Sequence, residues 1–176
     1  MCKISKEVYC EVTEQPFETC NVCGNSLQDQ LYFVEKAYQK NKENGQFFVV
    51  FEFAICSNCR MDMLKGISNQ SLTKMQMYMH DYTPEIENPE REIDFNTCTF
   101  TKEPLQNYDE YHMVATISKD KYYIPPVIMG GKIMEEYQEL LSDKTKGFYD
   151  DFYNDFVDIP PALAKILKAD KKPVFI

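Results

Sequence analysis

The chain has 176 residues, 44% of them apolar and 14% aromatic, with 19 Lys+Arg against 28 Asp+Glu and a formal charge of −9. A chain of that length can bury roughly 70% of its unfolded surface, and 6 Gly and 9 Pro exclude fibrous and fully disordered classes. A pI near 4.8 opposes phosphate backbones and anionic lipid unless a local basic face overrides the field.

The N-terminus is polar, and no apolar run follows its first residues. No window approaches the 18 or so apolar residues of a membrane span, so the expectation is a soluble, cytoplasmic protein with no membrane partner. Cys2 and Cys10 lie in this unpatterned stretch, too loosely placed to define a site. In a reducing compartment the seven cysteines read first as metal or redox chemistry.

Four of those cysteines form two CxxC pairs. Cys20-Asn21-Val22-Cys23 is followed by Gly24, and 32 residues separate Cys23 from the second pair, Cys56-Ser57-Asn58-Cys59. A two-residue gap lets a tight turn carry both sulfurs to one ion, and Gly24 permits positive φ where that turn reverses. Two pairs with the same gap make Cys20, Cys23, Cys56 and Cys59 the candidate ligands of one tetrahedral, structural Zn²⁺. Between them, residues 31–37 and 47–55 are rich in β-branched and aromatic residues and predict strands. The polar Asn41 to Gly45 predicts the turn of a hairpin. Arg60 to Lys65 has helix-favouring composition, with Ser57 or Asn58 as candidate caps.

Residues 20 to about 67, on these motifs, resemble a zinc-ribbon or treble-clef finger. The resemblance implies a knuckle, a β-hairpin and a helix stapled by zinc. It covers about a quarter of the chain and is specific for metal but not for activity, since fingers of this kind bind DNA, RNA, proteins or small ligands.

Next, residues 71–80 predict a second helix, with Leu72, Met75 and Met79 at helical spacing as core. Residues 81–94, with Pro84, Pro89 and many acids, read as an acidic linker. Beyond it, Cys98-Thr-Phe-Thr101-Lys-Glu-Pro-Leu105-Gln106 aligns with Cys20-Asn-Val-Cys23-Gly-Asn-Ser-Leu27-Gln28 at three identical positions. Strands over 111–117 and 122–124 and a helix from about Lys132 to Leu141 follow. Thr101 replaces a thiol, and Gly130 and Ile133 fall where Cys56 and Cys59 stood. One Cys cannot hold zinc, so this half reads either as a duplicate that lost its metal and substitutes apolar packing, or as a short α+β unit with a chance similarity. Phe148, Phe152 and Phe156 then recur every four residues, with Tyr149 and Tyr153 beside them, and predict an aromatic helix face on the sheet. A last short helix is expected over 162–169.

His80 and His112 are expected at the surface or on an edge strand, and neither has a spacing that specifies acid–base chemistry. Gly130-Gly131-Lys132 is not a phosphate loop. A thioredoxin-like redox role needs a βαβ setting around one CxxC pair, whereas here two pairs flank a hairpin.

The expected fold is therefore α+β: a zinc finger-like unit over 1–80, an acidic linker over 81–94, and a strand-plus-helix unit over 95–176. The expected function is a non-enzymatic protein-protein interaction or adaptor role, with nucleic-acid binding by the finger and thiol redox activity as alternatives. Residues 1–80 carry 8 Lys+Arg against 9 Asp+Glu and residues 81–176 carry 11 against 19, so the acid lies in the second half and nucleic acid is disfavoured for the whole chain.

Overall fold

The computed structural model describes residues 3–156, and for 153, 154 and 156 the backbone alone. The helix expected over 162–169 lies outside the described residues. The elements run β1 (Leu31–Lys40), β2 (Phe47–Cys56), α1 (Ser57–Gly66), α2 (Asn69–His80), α3 (Thr83–Ile86), β3 (Glu110–Ser118), β4 (Lys121–Gly130), α4 (Gly131–Glu139) and α5 (Asp143–Phe156). The four strands form one antiparallel sheet in the order β2-β1-β3-β4. Its central pair, β1 with β3, joins the two halves of the chain. None of the helices among the described residues is long and apolar enough to cross a membrane.

Local chemistry accounts for the hairpins. Gly45 sits at φ 71° and closes the β1–β2 turn by donating to the Asn41 carbonyl at 2.8 Å. The β3–β4 turn is only Lys119-Asp120, both left-handed at φ 50° and 56°, which is the backbone of a type I′ hairpin made without glycine. β4 also continues through Pro125 and Pro126, beyond the strand end expected at Ile124. Proline donates no ladder hydrogen bond and is tolerated because β4 is an edge strand. Arg91 Nη2 donates to the Pro125 and Pro126 carbonyls at 2.9 and 2.6 Å, covering part of that edge. Arg91 belongs to the acidic segment 81–94, which also contains α3 and the buried Ile86.

Both faces of the sheet are covered, so β1 is buried at five of its ten positions. The helices cover one face: Phe152 of α5 packs edge-on against Phe53 at 5.8 Å between centroids, and the Arg60 guanidinium lies 4.3 Å from the Phe33 ring centroid. The N-terminal segment covers part of the other. Tyr122 Oη lies 2.7 Å from Ser5 Oγ, and Lys36 Nζ donates to the Tyr9 carbonyl at 2.7 Å.

That double cover corrects the expectation for His112, which alternation alone left facing outwards. It lies on an inner strand, 2% exposed, with Nδ1 3.0 Å from Glu35 Oε1. On the opposite face Lys36 is held by Glu11 at 3.1 Å and Glu52 at 3.3 Å. Buried charges survive only when paired in this way. His80 is exposed, as expected.

The halves repeat one order of elements: turn, hairpin, helix, helix. The turns share their wiring. Cys20 donates to Asn25 O, Gly24 to Cys20 O and Leu27 to Glu18 O, each at 2.8 Å. Cys98 donates to Glu103 O at 2.9 Å, Lys102 to Cys98 O at 3.0 Å and Leu105 to Asn96 O at 2.7 Å. Lys102, like Gly24, is left-handed, at φ 60° against 70°.

The second helices of the two halves meet at their N-termini. Ser68 Oγ accepts from Ser71 N–H at 3.2 Å to cap α2, and Ser142 Oγ accepts from Thr145 N–H at 3.3 Å at the start of α5. Each half also donates into the other: Ser68 N–H to Thr145 Oγ1 at 3.1 Å, and Ser142 N–H to Ser71 Oγ at 2.8 Å. Ser68→Ala and Ser142→Ala should each lower stability by about 1–2 kcal/mol through loss of a cap. Because the two hydroxyls lie 2.9 Å apart, the double variant should cost less than the sum of the singles in urea denaturation.

Candidate metal centre

The four sequence-predicted cysteines come together. Their sulfurs all lie within 4.8 Å of one another. Cys20 and Cys23 are carried by the turn before β1, Cys56 ends β2, and Cys59 is the third residue of α1. The helix begins earlier than its composition suggested, and its N-cap is Cys56, without a side-chain cap bond, rather than Ser57 or Asn58. Both downstream sulfurs therefore sit at the positive end of α1, where thiolates are favoured.

A residue that the motif does not advertise fixes the turn against the sheet. Asn21 N–H donates to the Ala54 carbonyl at 2.9 Å, and Asn21 Oδ1 accepts from Ala54 N–H at 2.7 Å. This closed pair holds the first CxxC over the end of β2. Cys56 N–H then donates to Cys20 Sγ at 3.4 Å. The only sequence signal for Asn21 is that an Asn side chain can copy a backbone donor–acceptor pair.

The geometry and the donor set fit a four-coordinate thiophilic ion. Four sulfurs at about 2.3 Å from one ion lie about 3.8 Å apart in a tetrahedron, and Cys23 Sγ and Cys56 Sγ are separated by 3.9 Å. A disulfide would need about 2.05 Å. Cys20 is 1% exposed, whereas Cys23 is exposed and Cys59 half-buried, so the cluster lies at the rim of the fold.

The thiols differ in acidity. Burial pushes the Cys20 thiol up, but the N–H groups of Cys56, Cys23 and Val22 outweigh it and bring it down to about 7. The Asn25 N–H favours the Cys23 thiolate, yet desolvation and the adjoining sulfurs leave that thiol above its ordinary value. Burial, with the other three sulfurs adding, raises the Cys59 thiol strongly. Without a cation the cluster supports one thiolate readily and resists further ones, since like charges at this spacing repel.

Cys10 and Cys98 stand apart from the cluster as free thiols. Cys98 Sγ accepts from Gly130 N–H at 3.4 Å while His112 is occupied by Glu35. No protein-family model matches the chain, and no curated protein and no solved structure matches it.

Serine at position 20, 23, 56 or 59 should remove stoichiometric metal binding, whereas Cys10→Ser and Cys98→Ser should leave it intact, as read by elemental analysis of purified protein. Metal affinity should fall about tenfold or more per pH unit below about 7. The sign follows from competition: Cys20 reprotonates there, and the raised Cys23 and Cys59 thiols must each release a proton to the solvent when they bind. A chelator-competition titration between pH 6 and 8 measures it.

Proposed function

We propose that Cys20, Cys23, Cys56 and Cys59 hold a structural Zn²⁺ in a treble-clef or zinc-ribbon finger, and that the protein is a non-enzymatic scaffold for contacts with other proteins. The observation that carries the first part is the convergence of four sulfurs from a turn and a helix start. Zinc is the natural ion for four thiolates in a tetrahedron. With four protein ligands no position remains for water or substrate, which argues against Lewis-acid chemistry. The scaffold reading is supported by the closed ligand shell and by His112 lying in the core rather than in a cleft.

The second half reads as a duplicate of the finger that has lost its ion. Beyond the shared turn wiring, Thr99 N–H donates to Ile128 O at 2.7 Å and Ile128 N–H to Thr99 Oγ1 at 2.9 Å, as Asn21 and Ala54 do in the first half. Gly130 N–H donates to Cys98 Sγ at 3.4 Å, as Cys56 does to Cys20. Tyr108 takes the room of the missing thiols and ion. A Cβ on Gly130 would lie 2.6 Å from its ring, and its hydroxyl is 2.8 Å from Thr101 Oγ1, the residue aligned with Cys23.

Purified protein should carry one equivalent of zinc per chain. Chelation should cost stability cooperatively, visible as a fall in the thermal midpoint that added zinc reverses. No salt-dependent binding to DNA or RNA should be seen at low salt; its appearance would favour the nucleic-acid alternative. Reversible oxidation of one pair with turnover of a dithiol substrate would favour the redox one. The duplication makes a separate prediction: Thr101→Cys, Gly130→Cys and Ile133→Cys combined with Tyr108→Ala should raise the metal content to two equivalents. Retention of one in a folded quadruple variant would contradict it.

A further inference from the structure

The two halves meet about a two-fold axis that the strand register places at Glu35. In the first hairpin Cys56 pairs with Tyr32, and in the second Gly130 pairs with Tyr111. Gly130 is the counterpart of Cys56, so Tyr111 is that of Tyr32 and, further along the same strands, Val114 is that of Glu35. Across the junction Glu35 pairs with Val114 itself. The pairs on either side exchange roles: Tyr32 faces Ile117, the counterpart of Tyr38, while Tyr38 faces Tyr111, the counterpart of Tyr32. The helix starts do the same. Ser142 and Thr145 stand at the offset from Ser68 and Ser71 that separates Gly130 from Cys56. Ser68 N–H donates to Thr145 Oγ1 as Ser142 N–H does to Ser71 Oγ. Reciprocal contacts of this kind are how two copies of one unit join across a two-fold axis.

Under the helices the symmetry is broken beside the axis, and the break is one-sided. Glu35 is 2% exposed, with Oε1 3.0 Å from His112 Nδ1. The buried Tyr137 of α4 and Tyr149 of α5 lie within reach of its charge. All three of these polar groups come from the second half. At the matching positions the first half carries Phe33, Met63 and Met75, and opposite Glu35 the second half carries Val114. The acid therefore belongs to one half and the polar shell around it to the other.

Pairs of like halves would lack that match. Two first halves joined through β1 would bring two Glu35 carboxylates face to face at the axis, with Phe33, Met63 and Met75 around them. Directly opposed like charges destabilise a strand pair, and burial without the polar shell adds to the cost. Arg60 also lies in electrostatic range of Glu35, but it belongs to the first half and would accompany every copy, so it favours neither pairing. Two second halves would leave His112 and the two tyrosines with no acid to meet.

We propose that β1 and the start of α2 form a self-complementary pairing surface, and that Glu35 with His112, Tyr137 and Tyr149 restricts it to unlike halves, so that a first half accepts a second half and rejects another copy of itself. The proposal rests on the duplication and goes beyond it in naming the partner and what selects it. The test uses the full zinc-loaded chain with a protease site inserted between the exposed Asn88 and Pro89, cut after folding and held until its native mass spectrum no longer changes. Wild-type protein should give only unlike pairs. Glu35→Val, which makes the centre of a first-half pair apolar, should raise the ratio of like first-half pairs to unlike pairs at least about tenfold. A second measurement needs no cut. Glu35→Val should lower the urea midpoint of the wild-type chain, where it strands His112, and raise that of the triple variant His112→Phe/Tyr137→Met/Tyr149→Met, where the acid has lost its shell. Like and unlike pairs in statistical proportion in the wild type, no like pairs in cut Glu35→Val, or the same sign of the Glu35→Val shift in both backgrounds would overturn the proposal. A second equivalent of metal in the variant with cysteine at positions 101, 130 and 133, found beside any of those results, would leave the duplication standing, so the two readings fail separately.

Discussion

Four sulfurs drawn to a single point constrain everything around them. Two come from a turn that has no place in the sheet, one from the last residue of an edge strand and one from the first turn of a helix. A cation among them would convert mutual repulsion of thiolates into attraction and fix where β2 stops and α1 starts. The backbone is already arranged for this. Asn21 bonds Ala54 in both directions, and Cys56 N–H points at Cys20 Sγ, so the turn is registered against the strand before an ion contributes. An ion there would add cohesion between the turn, the strand end and the helix start, and that suits a structural role.

The second half solves the same geometric problem with other chemistry. Its turn, its strand end and its helix start repeat the first half's hydrogen bonds, while Thr101, Gly130 and Ile133 stand at the other thiol positions and Tyr108 fills the space with a ring. Between the halves, β1 pairs with β3 over nine residue pairs, and at the starts of α2 and α5 the Ser68 and Ser142 hydroxyls cap their own helices while the Thr145 and Ser71 hydroxyls accept the Ser68 and Ser142 N–H groups across the junction. With the four-cysteine unit and the second unit tied at both places, the sheet and its helix layer are built across the junction.

Much of this was legible in the sequence where the signal was local. The doubled CxxC spacing gave the four cysteines that cluster, Asn41 to Gly45 gave the first hairpin, and the four-residue recurrence of Phe148 and Phe152 gave an inward face of α5, with Phe152 on Phe53 of the sheet and Phe148 against Gly66 of α1. Signals that depend on three-dimensional neighbours were not legible. His112 alternates like a surface residue, and only the cover on both faces of β3 buries it against Glu35. Nothing in the sequence marks Lys36 as buried, and it becomes so because the N-terminal segment folds over it with Glu11. Pro125-Pro126 reads as a strand end, and only the edge position of β4 lets the strand continue. The Lys119-Asp120 turn lacks the glycine that marks such turns.

X-ray absorption at the zinc edge of the purified full-length protein tests the central claim most directly. Four sulfur neighbours at about 2.3 Å, with no nitrogen or oxygen in the inner shell, are the expected result. A mixed shell with nitrogen or oxygen ligands, or protein that holds no zinc after reconstitution under reducing conditions, would contradict the account.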